Sequence, residues 1–299
     1  MMEPGFDLAL HEALEQSLGF ALKPLERLDG EINLNFRAVR ATDGLAFAVK
    51  CSPPEKCAAF AALCGHLAAL EGTKAARRLF PDALARFRNY DVLCLSWCDG
   101  VRLFPDRLTD SQMEALADDY LEFSTAMQSS TDLAPLDPVL DWRQKTLDQC
   151  TGVWGGVLRR MIERELPVEG VTYDPKRLKV IHGDFHHGNF LFVDHRVAGY
   201  FDFEEFRPGY PAEDLVRYVT VCSEHLHFHE LYRLKRLLAA FRLLVRQAPY
   251  GKDEWHVAVN AMLLYRTEKY IRRGLGLLQV IRLNLRFRFY RAMSSIIDG

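Results

Sequence analysis

The sequence predicts a mixed α/β (α+β) chain in two lobes, a small strand-rich lobe over residues 1–95 and a larger, mainly helical lobe over residues 96–299. Three observations lead there. The chain has 299 residues, more than one compact unit usually holds, so one large domain or two lobes sharing an interface is expected. Short alternating apolar segments broken by Asp-Gly pairs fill much of the first third. From Pro211 onward the apolar spacing is helical almost throughout.

Taken in order, residues Phe6 to Leu18 read as a leading helix, and Leu28 to Lys50 as strands and turns. Asp43-Gly44 lies between Phe36-Arg37-Ala38-Val39 and Leu45-Ala46-Phe47-Ala48-Val49, the pattern of an antiparallel hairpin whose second strand ends at Lys50. Pro53-Pro54 opens an Ala- and Leu-rich helix to about Leu70, with Gly72 near its end. Strands are expected near Leu84 to Arg88 and over Asp91 to Trp97, and a helix beyond Asp110 through Met113, Leu116, Tyr120 and Met127. After a second helical stretch, Leu178-Lys179-Val180-Ile181 enters a polar loop, Asn189 to Phe192 leaves it, and Val197 to Phe201 forms a further short apolar run. The terminal helices break near Pro249-Tyr250-Gly251 and Gly274.

The totals limit the alternatives. A 49% hydrophobic and 26% charged chain can bury a real core. The net charge of −2 is unevenly spread, because from Leu231 the chain carries fourteen Lys or Arg against four Asp or Glu. Such a basic region suits an anionic substrate, a membrane surface, or a solvated helix face. Seven cysteines without a Cys-x-x-Cys pair are expected to be reduced and mostly packed. No basic leader with an apolar run begins the sequence and no apolar stretch reaches bilayer length, so a cytoplasmic location is expected.

The chemistry concentrates in His182-Gly183-Asp184-Phe185-His186-His187-Gly188-Asn189 and Asp202-Phe203-Glu204. Phosphoryl transfer needs metal ions against the phosphates, a base for the acceptor hydroxyl and a cation near the non-transferred phosphates. Magnesium prefers oxygen ligands. Asp184, Asn189 and Asp202 supply them, and Gly183 and Gly188 allow tight backbone geometry, so a hairpin would gather all three. Asp184 is then the base, Asn189 holds one metal, and Asp202 bridges metal to phosphates.

These motifs resemble those of the aminoglycoside phosphotransferase and choline kinase superfamily, small-molecule kinases with a protein-kinase-like fold. Six polar or glycine identities within eight residues make the first motif specific. The resemblance covers most of residues 25 to 220. It implies Asp184 as catalytic base, Asn189 and Asp202 as metal ligands, ATP and Mg2+ as cofactors, and a nucleotide-binding amino-terminal lobe. Glu204 stands where protein kinases have glycine, as in choline and ethanolamine kinases, and is carried over near the metal. In Pro211-Ala212-Glu213-Asp214-Leu215, Asp214 matches an aspartate that braces the catalytic loop, and an ordinary acid at a helix start looks the same. His182 is expected to support the loop. Gly30 to Phe36, with Gly30 and Asn35, is similar to the nucleotide-covering turn. Lys50 matches the strand lysine on the α- and β-phosphates, although a lysine after an apolar strand ordinarily faces solvent. Its usual glutamate partner has no match inside the helix from Cys57 to Leu70. Glu55 is close to Lys50 in sequence and Glu71 lies at the far end, the latter being slightly favoured. Trp97 and Cys98, after the strand Val92 to Leu95, resemble the connector that binds adenine.

Other readings compete. His182, His186 and His187 with Asp184 could hold zinc, but that leaves Asn189 and the second acidic motif unused. His225, His227 and His229 alternate as on a strand, whereas their surroundings are helical and would scatter them. Arg272, Arg273, Arg282, Arg286, Arg288 and Arg291 interleave with Leu and Phe as in membrane-surface helices, and equally as in core helices with basic outer faces. No nucleic-acid motif accompanies the charge, so no nucleic-acid partner is expected.

The expected activity is transfer of the ATP γ-phosphate to a hydroxyl of a small molecule such as an aminoglycoside, amino alcohol or sugar. An anionic sugar or lipopolysaccharide core is the alternative acceptor, since the basic carboxy-terminal region disfavours a polycation. A nucleotide-binding pseudokinase scaffold is the alternative of another class. The sequence names neither acceptor nor oligomeric state.

Overall fold

The computed structural model describes residues 5–28, 34–53, 86–126, 139–166, 174–202, 205–224 and 232–299. The helix expected from Pro53 to Leu70, most of the turn from Gly30 to Phe36 with Gly30 itself, Glu55, Glu71, Glu204 and the histidines 225, 227 and 229 lie outside them.

Helix α1 (Phe6–Leu18) follows the sequence expectation to the residue. Its Phe6, Leu10 and Leu14 recur every four positions and are buried on one face. Gly19 at φ 73° closes it, its N–H donating to the Glu15 carbonyl at 2.9 Å, because a glycine adopts the left-handed conformation without a Cβ penalty.

Strands β1 (Glu26–Leu28), β2 (Leu34–Val39), β3 (Ala46–Ser52), β4 (Arg86–Phe87) and β5 (Tyr90–Ser96) make one antiparallel sheet in the order β1-β2-β3-β5-β4. The β2–β3 hairpin turns at Asp43-Gly44, as expected. The Asp43 carboxylate accepts from Arg40 Nε at 2.8 Å and from the Leu45 N–H at 3.1 Å, and Gly44 takes φ 77°.

Burial along β5 alternates between two apolar clusters. Val92 and Cys94 join Phe36, Phe47, Val49, Cys51 and the α1 face in the small core. Leu93 and Leu95 point the other way, into the large core. With period 2, one strand serves both lobes. Burial pushes the Cys51 and Cys94 thiols up to about 12, so both behave as small apolar side chains.

The larger lobe holds α2 (Asp110–Ala126), α3 (Val139–Asp148), α4 (Gly152–Glu165), α5 (Pro211–Glu224), α6 (Arg233–Gln247), α7 (Lys252–Arg272) and α8 (Leu277–Asp298). The terminal helices part at Ala248–Gly251 and at Arg273–Gly276, where Pro249 and Gly274 were expected to break them. Between α4 and α5 lie β6 (Lys179–Ile181), β7 (Phe190–Val193), β8 (Arg196–Tyr200) and β9 (Arg207–Gly209). β7 and β8 form an antiparallel hairpin. β9 pairs with β6, a strand the sequence hides because Pro208 and Gly209 are poor strand formers. Among the described residues no helix is long and apolar enough to cross a membrane.

Aromatic packing fixes the hairpin against α2. Phe185 stacks on Phe190 at 4.7 Å between centroids and meets Tyr120 at 4.9 Å, while Phe123 meets Tyr200 at 4.9 Å. All five are essentially inaccessible to solvent. Asp119 ties the hairpin polarly to the same helix, accepting from the Val197 N–H at 2.9 Å and from the Arg196 guanidinium.

Phe123 lies 6.4 Å from the His182 ring between centroids, with the two rings tilted at 42°. Phe123→Ala should cost about 3–5 kcal/mol through lost burial and the cavity left behind. Urea denaturation of the variant beside the parent protein checks this; an unchanged midpoint would contradict the packing.

Candidate active site

The loop between β6 and β7 carries His182 to Asn189, and its backbone is held from below by α5. Asp214, buried in that helix, accepts the His182 N–H at 2.7 Å, the Gly183 N–H at 2.9 Å and the Tyr120 hydroxyl at 2.8 Å. Burial pushes its carboxyl pKa up, while the His182 interaction and the Tyr120 hydrogen bond favour the charge. Asp214 therefore braces the loop through backbone hydrogen bonds, beyond the ordinary role of an acid at a helix start.

Gly183 sits at φ 75°, and a Cβ there would lie 2.0 Å from the Glu205 carbonyl oxygen. Glycine is required on both counts. His182 is fully buried, and its Nε2–H donates to the Phe201 carbonyl at 2.7 Å, leaving Nδ1 to accept the Asp184 N–H at 3.3 Å. Burial lowers its pKa, in keeping with the neutral ring this bonding requires. One imidazole thus joins the Asp184 loop to the residue preceding Asp202.

The three histidines go to different places. His186 Nε2 lies 3.3 Å from Asp184 Oδ2, and His187 stacks on Phe104 at 4.0 Å with its Nδ1 3.4 Å from Cys222 Sγ. With His182 on Phe201, this arrangement is a loop scaffold and not a zinc cluster.

Asn189 Nδ2 donates at 2.9 Å both to the Asp184 carbonyl and to Asp184 Oδ2. With the amide nitrogen so engaged, Oδ1 is the end of the side chain left to act as an oxygen donor to a ligand. The β7–β8 hairpin continues into Asp202, where the Phe201 N–H donates to the Asn189 carbonyl at 2.8 Å. Asp202 has φ 63°, in the left-handed region that non-glycine residues rarely enter, and its carboxylate bonds Lys50 Nζ. Lys50 stands opposite Asn35 in the β2–β3 register, so both side chains share one face of the sheet. The Lys50–Asp202 pair spans the two lobes, with the lysine side chain 18% exposed.

The connector after β5 is fastened at both ends. Its Trp97 N–H donates to the Ala46 carbonyl at 3.0 Å, and Val101 exchanges two backbone bonds with Phe192, at 2.8 and 2.9 Å. Gly100 packs so closely on Phe192 that a Cβ would lie 2.6 Å from its carbonyl oxygen. The Trp97 indole donates to Asp99 at 2.9 Å and lies under the Arg37 guanidinium at 5.0 Å, while Cys98 Sγ lies 3.3 Å from the Asp99 carbonyl.

The residue the sequence reading overlooked is Arg217. It lies three positions beyond Asp214 on the same face of α5 and bonds Asp184 Oδ1 through its guanidinium. A lone arginine in an amphipathic helix gives no signal without the loop it meets. Burial works against ionisation of Asp184, but the His186 hydrogen bond and the Arg217 charge outweigh it and hold the carboxyl well below the ordinary range. A carboxylate offers about four lone-pair positions. Arg217, His186 and Asn189 take three, which leaves room for one incoming hydroxyl.

A model of the phosphotransferase enzyme family (APH) matches residues 24–236, well over half of the chain. No curated protein matches by sequence. The fold is similar to that of amicoumacin kinase hAmiN in complex with AMP-PNP, Ca2+ and amicoumacin, with TM-score 0.61 and 12% identity over 98% of this chain and 94% of the other. It is similar also to a thermostable mutant of aminoglycoside phosphotransferase APH(4)-Ia with AMP-PNP and hygromycin B, with TM-score 0.61 and 13% identity over 96% and 98% of the two chains. Macrolide 2′-phosphotransferase MphH from Brachybacterium faecium superposes with TM-score 0.60 at 14% identity over 99% of each chain.

Because the folded pKa of Asp184 lies below its unfolded value, ionised Asp184 adds stability that is fully present above about pH 4 and is lost as the pH falls through the depressed folded value. The stability gap between the parent protein and Asp184→Asn, read from urea midpoints, should therefore shrink as the pH falls below about 4. A gap indifferent to pH would contradict the ion pair.

Proposed function

We propose, from the premise that this chain belongs to the phosphotransferase enzyme family, that it transfers the γ-phosphate of ATP to a hydroxyl of a small molecule. The observation that carries the reading is the convergence of Asp184, Asn189 and Asp202 on one loop and hairpin, with Lys50 reaching Asp202 from the other lobe.

The oxygen donors Asp202 and Asn189 Oδ1 fit a hard divalent cation such as Mg2+, with Glu204 beside them in sequence. A cation bound there would neutralise the β- and γ-phosphate oxygens. Lys50 would turn from Asp202 to the α- and β-phosphates, with Asn35 on the same face of the sheet, and Gly30 is proposed as part of the nucleotide-covering turn. The adenine is assigned to the backbone of the connector at Trp97 and Cys98, and Glu71 is the proposed partner of Lys50. Residues 1–95 then form the nucleotide-binding lobe and residues 96–299 the catalytic one.

In the transfer, the acceptor oxygen forms a bond to Pγ while the bond from Pγ to the β,γ-bridging oxygen breaks, and its electron pair leaves with ADP. The hydroxyl proton passes to Asp184 Oδ or through it to solvent. Because Asp184 is such a weak base, its main contribution is to orient the hydroxyl. A loose phosphoryl-transfer transition state asks for little proton removal before the Pγ bond breaks.

Asp184→Ala should lower kcat by about 10²–10⁴-fold while leaving ATP affinity largely intact, as single-turnover kinetics and calorimetry would show. Turnover at the parent rate would sink this mechanism. Asp202→Ala should instead weaken nucleotide binding in the presence of magnesium and change it little in EDTA; equal magnesium-dependent affinity in parent and variant would remove Asp202 from the metal site.

A further inference from the structure

We infer that the acceptor carries an oxyanion, a carboxylate or phosphate group, and that Arg217 receives it. The inference rests on the phosphotransferase reading above, since it concerns what approaches Asp184.

Any hydroxyl that takes the remaining position on Asp184 arrives beside the guanidinium bonded to Oδ1. That guanidinium is deeply placed, with 11% of the side chain exposed. The Tyr265 ring supports it, with Arg217 Cζ at 5.2 Å, and Arg266 lies at 5.3 Å from the same ring. Arg217 thus brings a positive charge to this wall of the site, next to the Asp184 carboxylate it pairs with, and a second guanidinium lies against the same ring. Arg217 reaches Asp184 through Nη2, and its Nε is buried without a hydrogen-bond partner. Buried donors are normally satisfied, and a planar oxyanion matches the fork of Nε and a terminal nitrogen.

The sign of this wall decides the class of acceptor. An amine-rich acceptor would bring ammonium groups against a fixed, poorly hydrated guanidinium, where like charges repel strongly. A carboxylate or phosphate would gain a bidentate bond instead. The Lys50–Asp202 pair is assigned to the nucleotide side of the site, and among the described residues Arg217 is the cation bonded to Asp184 itself.

The test uses the full chain with magnesium-ATP and matched acceptors differing in one group: glucose, glucuronate and glucosamine, and glycerol beside glycerol 3-phosphate. Coupled ADP release measures transfer, and thermal shift with magnesium and AMP-PNP measures binding. Anionic members should be preferred in kcat/KM or in binding by at least tenfold. Arg217→Gln should raise KM or Kd for them by a similar factor while ATP affinity changes little, and Arg217→Lys should restore part of the loss. Equal or better use of neutral or amine-bearing members overturns the acceptor assignment and leaves the phosphotransferase reading intact. A uniform fall in kcat on every acceptor with KM unchanged places Arg217 on the transferred phosphoryl group and overturns it too. Absence of transfer to any member, together with no Arg217-dependent binding of the anionic ones, overturns both readings.

Discussion

The site depends on one buried carboxylate. Asp214 gathers two backbone N–H groups from the catalytic loop and a phenol from α2, so three segments far apart in sequence meet at one side chain. Each donor would otherwise be buried without a partner, which is unfavourable for backbone and hydroxyl groups alike. The loop geometry, with Gly183 in the left-handed region and His182 reaching Phe201, follows from that anchorage. Asp184 is positioned because the backbone just before it is bonded to α5.

The same helix supplies the charge that governs Asp184. Asp214 holds the main chain, and Arg217, nearly one turn later, holds the side chain. A carboxylate kept ionised by the Arg217 guanidinium and the His186 hydrogen bond stores protons poorly. It is well suited to hold a hydroxyl at a defined angle while charge moves on the phosphorus side. Stability and the proposed chemistry here draw on one electrostatic arrangement.

Much of this was legible in the sequence because local identity determines it. Gly183 and Gly188 around Asp184 and Asn189, the apolar run ending at Asp202, and Asp43-Gly44 between two alternating segments each need specific residue types at fixed offsets. The leading helix Phe6 to Leu18 was also legible, and the structure buries its Phe6, Leu10 and Leu14 on one face. What stayed hidden were pairings set by the tertiary fold. β9 carries Pro208 and Gly209 and forms because β6 offers an open edge beside it. Arg217 resembles any helix-face arginine until Asp184 is brought to it, and the Asp119 contact with the hairpin reads as an ordinary surface acid of an amphipathic helix. Long-range polar contacts between single residues leave no periodicity to read.

The connector has a mechanical consequence. Trp97 is stitched to the edge of β3 through Ala46, and Val101 is stitched to β7 through Phe192, with Gly100 wedged against the same carbonyl. Between these two fastenings lie only Cys98, Asp99 and Gly100. A change of angle between the sheet and the β7–β8 hairpin taken up over those residues would also alter the reach of Lys50 to Asp202, so the stiffness of this short link and the length of that ion pair are coupled.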